Sequence, residues 1–186
     1  MRRVLSILLC LMLILGTCMG VFSADAKDGG VLKIGVTEEP DSLSPLVSYE
    51  RFSFEIFMLM YDSLVTFDEN MEAAPSLAKS WEVSDDNLTW TFHLRDDVKW
   101  TDGEKFTSKD VKFTFELFRD SGLGMYTDMV GDIDEIETPD DYTVILKTQK
   151  PKANMLQNIT PIIPEHIWKD VEEEDYEVFD NENPIG

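Results

Sequence analysis

From Leu88 to Leu94 the chain alternates, with Leu88, Trp90, Phe92 and Leu94 apolar and Thr89, Thr91 and His93 between them. A period of two rich in aromatic and β-branched residues predicts a strand with one buried face. Trp81 and Val83 open a shorter strand before it, and the turn formers Ser84-Asp85-Asp86-Asn87 between the two predict a hairpin. After the Val98/Trp100 pair and a turn at Thr101-Asp102-Gly103, the period becomes helical. Thr107 stands as N-cap with Asp110 three residues on, the spacing of a capping box. Val111, Phe115 and Phe118 then share one face, widened by Phe113 and Leu117. The pattern predicts a hairpin with a helix packed on it.

Elsewhere the pattern is shorter in range. Val31 to Val36 predicts a strand with Leu32, Ile34 and Val36 on one face, and its exit from Thr37 to Pro45 carries two prolines that predict a loop. Phe54, Phe57, Met58 and Tyr61 fall at helical spacing, so Arg51 to Tyr61 reads as a helix burying that stripe in the core. Asp120 to Gly124 is turn-rich, and Met125 to Val130 fits a helix or a loop equally well. Ile133 to Ile136 and Tyr142 to Lys147 predict a second hairpin about Thr138-Pro139-Asp140-Asp141. Lys150-Pro151 ends that pattern, Asn154 to Ile159 reads as a short helix, and Pro164 suits the first turn of another. The acidic run Glu172 to Asp175 reads as solvated surface, and no internal repeat appears.

The start of the chain is of another kind. Arg2-Arg3 precedes an apolar run from Val4 to Leu15, and Ala24-Asp25-Ala26 offers a small-residue cleavage site, so residues 1–26 read as a signal peptide or a membrane anchor. Three fates stay open: cleavage after Ala26, lipidation at Cys18 in Leu15-Gly16-Thr17-Cys18, or retention of Val4 to Phe22 as a span. Each exports the remainder, to the periplasm or the cell surface. Cys10 and Cys18 both lie in this leader, so cleavage leaves an exported domain without a disulfide.

At 186 residues the chain is long enough for one domain with a sizeable core. Sixteen Lys and Arg against 37 Asp and Glu give a formal net charge of −21, which excludes nucleic acid as a partner because phosphate binding needs a basic surface. Catalytic motifs are missing as well: there is no G-x-S-x-G, no H-E-x-x-H and no glycine-rich phosphate loop. His93 reads as a cross-strand partner and His166 as a surface residue. With two histidines far apart, no transition-metal site is expected. Asp68, Asn70 and Glu72 alternate like a calcium loop, but Ala73 stands where that loop needs glycine. Asn87-Leu88-Thr89 and Asn158-Ile159-Thr160 are glycosylation sequons.

One resemblance adds function to this reading. Leu77-Ala78-Lys79-Ser80-Trp81-Glu82-Val83-Ser84-Asp85-Asp86, followed by Leu88-Thr89-Trp90-Thr91-Phe92-His93-Leu94-Arg95-Asp96-Asp97-Val98-Lys99-Trp100, resembles the signature of the family 5 extracellular solute-binding proteins. These are the peptide- and nickel-type receptors of ABC importers. Asp102-Gly103, Phe106-Thr107 and Lys109-Asp110-Val111 continue the pattern, and Tyr61 to Phe67 with Ala74 to Ala78 resembles the family's short strand and turn before it. In that reading Trp81, Trp90, Phe92, Leu94, Arg95, Asp97, Val98, Asp102, Gly103, Thr107 and Asp110 are signature scaffold.

The resemblance implies an α/β chain, the N-terminal part of lobe I of a periplasmic-binding-protein-like type II fold, with a mixed sheet, β-hairpins and packed helices. Residues 27–186 would be an incomplete portion of that lobe, since family members are longer: a truncated gene, a split gene or part of a longer sequence. It also implies a non-enzymatic role without cofactor or bound metal. The protein would be the substrate-binding component of an ABC importer, capturing peptides or nickel chelates outside the membrane and delivering them to permease subunits. Peptide, nickel chelate and sugar stay open as solutes. The rival is a receptor remnant serving as a surface module without ligand affinity. The family's ligand cleft would be lined here by Glu38, Glu39, Asp41 and Ser42, by Tyr126, and by Ile159, Thr160 and Ile162 of the Ile159-to-Ile163 segment.

Overall fold

The structure, a computed structural model, describes residues 32–176, 178–179 and 181–186. The leader and its cleavage site lie outside the described residues. Two units divide the chain, Met1–Val36 and Thr37–Gly186. In the first, residues 32–36 form no strand, against expectation, and Leu32, Ile34 and Val36 are all exposed. Alternation alone does not make a strand: its amides and carbonyls need a neighbouring edge to pair with.

The second unit opens with a loop that leads into helix α1, Arg51–Met60. Helix α1 buries Ser53 and Phe57, and Tyr61 just beyond it is also buried. Met58, assigned to the core from its spacing, is instead 59% exposed, because Arg51, Glu55, Met58 and Leu59 share the outward face. Strands β1, Val65–Phe67, and β2, Ala73–Pro75, then form a small antiparallel hairpin. Asp68 shapes its loop by accepting the amides of Asn70 and Glu72.

The main sheet has four strands: β3 Ala78–Val83, β4 Thr89–Leu94, β5 Ile133–Asp140 and β6 Thr143–Thr148. Their spatial order is β3-β4-β6-β5, and every pairing is antiparallel. The α/β character stands, but the mixed sheet expected from the resemblance is antiparallel throughout the described residues. Short turns join both hairpins, and such turns impose antiparallel pairing. Asn87, at φ 57°, supplies the left-handed residue of the first turn.

Alternation decides the faces. Trp90, Phe92 and Leu94 of β4 and Val144 and Leu146 of β6 are buried, with Trp90 opposite Leu146 and Phe92 opposite Val144. Helix α2, Ser108–Ser121, covers this sheet with Val111, Phe115 and Phe118 inward. It lies over β5 and β6, not chiefly over the hairpin that precedes it. The reason is local: Ser108 donates its amide to the carbonyl of Asp141 at 2.8 Å and its hydroxyl to that of Asp140 at 2.6 Å, which docks the helix start on the β5–β6 turn.

Thr107 and Asp110 form the expected capping box, and Gly122 at φ 67° ends the helix. The ambiguous stretch after it contains a one-turn helix, α3, Thr127–Val130. The helix expected at Asn154–Ile159 is only a 3₁₀ turn at Met155–Gln157. Pro164 is the N-cap of a one-turn helix, α4, Glu165–Trp168, and a second 3₁₀ turn spans Glu173–Asp175. Trp168 is fully buried, with Phe179 edge-on at 4.9 Å.

Candidate functional site

The loop before α1 is built around Asp41. Its Oδ1 accepts the hydroxyls of Ser48 and Ser53, both at 2.5 Å, and the amide of Ser42 at 3.0 Å. Among the described residues its Oδ2 takes only the Tyr49 amide, at 3.4 Å. Partial burial opposes the charge on Asp41, but the two seryl hydroxyls and the amides outweigh it and hold the carboxyl below its ordinary pKa. Asp41 thereby fastens the loop to the first turn of α1 and keeps one oxygen largely uncommitted. Ser42 turns its hydroxyl to the amide of Ser44, and Glu38 and Glu39 are exposed.

A second loop closes on the first at Gly124. The Gly124 amide donates to the Tyr49 hydroxyl at 3.0 Å. A Cβ at position 124 would stand 2.7 Å from the carbonyl oxygen of Pro45 and 2.9 Å from that of Leu46, and the backbone there has φ +74°. Only glycine meets both demands. Two residues on, Tyr126 is 1% exposed, stacked on Phe54 at 6.3 Å and edge-on to Phe118 at 5.4 Å. Burial pushes its phenol well above the ordinary value. Asn181 adds a third segment, donating from its side chain to the Leu43 carbonyl and to the Tyr61 hydroxyl.

The segment from Asn158 to Pro164 docks at the other end of α1. Ile162 donates its amide to the carbonyl of Asp62 at 2.9 Å, and Ile163 donates to the Thr114 hydroxyl at 3.1 Å. Asn158 and Lys152 both donate to the carbonyl of Met129, and the Asn158 side-chain oxygen accepts the Thr160 amide. Ile162 and Thr160 are buried and Ile159 is half-buried. The Thr160 hydroxyl has no hydrogen-bond partner among the described residues.

Of the eight residues expected to line a cleft, Asp41, Ser42 and Tyr126 are drawn together about α1 and Gly124, while Ile159, Thr160 and Ile162 form a separate group. Tyr126, Thr160 and Ile162 are all buried. Tyr49, which sequence reasoning passed over, presents more surface than any of these three: it is 63% exposed although both its amide and its hydroxyl are bonded. No periodicity marks a single tyrosine in a loop, so nothing in the sequence distinguished it.

The signature residues fall partly in the core and partly at the surface. Trp90, Phe92, Leu94 and Asp110 are buried, Val98 and Trp81 pack against the core, and Arg95 forms a paired contact with Asp97 at 2.9 and 3.0 Å. His166, outside that set and read from the sequence as a surface residue, is engaged with it. Its Nε2 lies 2.7 Å from Oδ2 of Asp102 and ties α4 to the signature turn. The other histidine, His93, does reach across the hairpin, to Glu82 at 3.8 Å.

The profile of the bacterial extracellular solute-binding proteins, family 5 Middle, matches residues 72–186, which is the sheet, α2 and everything after them. The chain belongs to that family. The Bacillus subtilis oligopeptide-binding protein AppA is 30% identical over 200 residues, matching 98% of this chain and 36% of its own length. The crystal structure of AppA with a nonapeptide superposes with a TM-score of 0.71 at 28% identity, over 80% of this chain and 31% of AppA. NikZ from Campylobacter jejuni, solved with Ni(L-His), gives 0.70 at 33% identity over 81% of this chain and 30% of NikZ. The family 5 chain described here therefore spans about a third of the length of these receptors. Its fold is that of family 5 periplasmic binding proteins, and the relatives are transport receptors rather than enzymes. Among the described residues no helix is long and apolar enough to cross a membrane.

Proposed function

We infer that the protein is the substrate-binding component of an ABC importer, that it takes up peptides outside the membrane, and that this chain supplies one wall of the ligand cleft. The observation that supports this most is the match of AppA to 98% of the chain, together with the fit to AppA in its nonapeptide complex. The loop fastened by Asp41, with Tyr49 and Gly124 beside it, is the wall. Glu38, Glu39 and Ser42 belong to the same stretch. Tyr126 backs the wall from the core, and the Ile159–Ile162 segment supports the far end of α1.

Receptors of this class act by closing. Ligand shifts an open–closed equilibrium because it touches both lobes only when they are closed. Moving that balance from nearly all open to nearly all closed takes about 5.5 kcal/mol of differential binding. A chain covering about a third of a receptor supplies one side of the contact, so the 186 residues alone bind peptide weakly. The closed complex is then the form that docks on the permease subunits. Nickel chelates are the second reading, favoured by the fit to NikZ with Ni(L-His).

Titration calorimetry on the protein as its gene encodes it decides between them. Saturable binding of tri- to nonapeptides, with no heat from nickel–histidine, is the expected result. Binding of nickel–histidine alone transfers the assignment to the second reading, and no binding of either refutes the receptor assignment.

A further inference from the structure

We propose that Tyr49 is a fixed stacking platform in the cleft wall and that it selects peptides carrying an arginine side chain. This inference rests on the receptor reading and specifies its ligand. An exposed tyrosine ordinarily turns its hydroxyl to water and lets the ring lie on the surface. Tyr49 does the reverse. Its hydroxyl is turned inward to the amide of Gly124 at 3.0 Å, its own amide is bonded to Asp41, and the residue as a whole is still 63% exposed.

Both anchors are themselves rigid. Gly124 is wedged against the carbonyls of Pro45 and Leu46, and Asp41 is held by two serines and a second amide. The ring therefore costs little further entropy when a ligand settles on it, which is the advantage of a preformed contact.

The surroundings choose the ligand. Among the described residues Oδ2 of Asp41 has a single long bond, at 3.4 Å, and that bond comes from the Tyr49 amide itself, so an acceptor with capacity to spare adjoins the tyrosine. Glu50, the next residue, is exposed. A planar cation that stacks on an aromatic face while donating hydrogen bonds from its edge matches such a pair, and the guanidinium group of arginine has that shape. An ammonium group has the charge without the plane, and a phenyl ring has the plane without the charge.

The test is calorimetry on the protein as its gene encodes it, with Ala-Ala-Ala, Ala-Lys-Ala, Ala-Phe-Ala and Ala-Arg-Ala as probes. The expected order places Ala-Arg-Ala roughly tenfold tighter than Ala-Ala-Ala, the size of a cation–π contact in a partly desolvated site. Tyr49→Leu removes that preference, so that Ala-Arg-Ala and Ala-Ala-Ala bind the variant with equal affinity. Tyr49→Phe keeps the ring and so keeps most of the preference, which separates stacking from any loosening of the Gly124 loop. Equal affinities for all four peptides, or a preference for Ala-Arg-Ala that survives Tyr49→Leu, overturns the inference while the receptor reading stands. Tightest binding of Ala-Phe-Ala overturns the arginine assignment. Failure of every peptide to bind overturns both.

Discussion

The carboxylate of Asp110 accepts the backbone amide of Glu165 at 3.0 Å, across 55 residues of sequence. Its other oxygen accepts the amide of Thr107 at 2.8 Å, so one buried side chain caps the signature helix and receives the first turn of α4. Losing it leaves two amides without their acceptor. Asp110→Ala is expected to cost about 1–3 kcal/mol, the penalty for orphaned buried groups. Asp110→Asn offers an acceptor at only one of the two places and falls in the same range. The urea midpoint measures both, and an unchanged midpoint contradicts the bridging role.

Asp110 also gives stability a pH dependence. Burial pushes its carboxyl above the ordinary 3.8, against the opposing amides of Thr107 and Glu165. The folded chain then holds a proton that the unfolded chain has already released. Stability from this group is full below the unfolded value and declines as pH rises through the window up to the folded one. Against wild type, Asp110→Asn should lack that downward component as pH rises above the ordinary carboxyl value of 3.8. Paired denaturation curves across the window supply the comparison.

Asp102 works in the opposite sense. The hydrogen bond from His166 holds its carboxyl below the ordinary value. That contribution is present above the unfolded value of 3.8 and is lost as pH falls through the folded one. In His166→Ala the Asp102 carboxyl should titrate closer to the ordinary value by carbon-detected NMR. An unmoved titration curve means the 2.7 Å contact does not persist in solution.

Two glycines of one loop separate strain from crowding. Gly122 and Gly124 both have positive φ, +67° and +74°, but a Cβ meets nothing at 122 and the Pro45 carbonyl at 2.7 Å at 124. Gly122→Ala should cost about 1 kcal/mol, the left-handed penalty alone. Gly124→Ala should cost more, about 2–4 kcal/mol, because the loops must also part. Thermal melts of the two variants rank them.

The two sequons differ as acceptors. Asn87 is exposed at the tip of the first hairpin, whereas Asn158 is buried with both ends of its amide bonded. Produced in a host that glycosylates Asn-X-Thr, folded protein should carry glycan at Asn87 and none at Asn158. Peptide mass spectrometry after trypsin reads the occupancy. Asn158→Ala, which orphans the Thr160 amide, should destabilise by about 1–3 kcal/mol.

The elements legible in the sequence were those whose periodicity stood beside strong turn or cap chemistry. Both hairpins, the Thr107–Asp110 box and the buried face of α2 are of this kind. Residues 32–36 carried the same alternation and form no strand, because pairing depends on a neighbour that a one-dimensional pattern does not contain. Met58 failed for a related reason: spacing defines a helical stripe, but the packing partner decides how wide a stripe is buried. The candidate site was barely legible. Asp41 was singled out and is its organising group, yet Tyr49 and Gly124 matter through a single bond spanning 75 residues, which leaves no local trace. The His166–Asp102 contact spans 64 residues and was missed on the same grounds.

The start of α2 sets the order in which this chain can fold during synthesis. Ser108 needs Asp140, Thr114 needs Ile163 and Asp110 needs Glu165, at separations of 32, 49 and 55 residues. Until those partners emerge, the amphipathic helix exists with its cap half-made and its inner face bare, and closing such long loops is slow. A nascent chain therefore stays loose until almost all of these residues have been made, which is the condition in which a polypeptide is most readily threaded through a translocation pore.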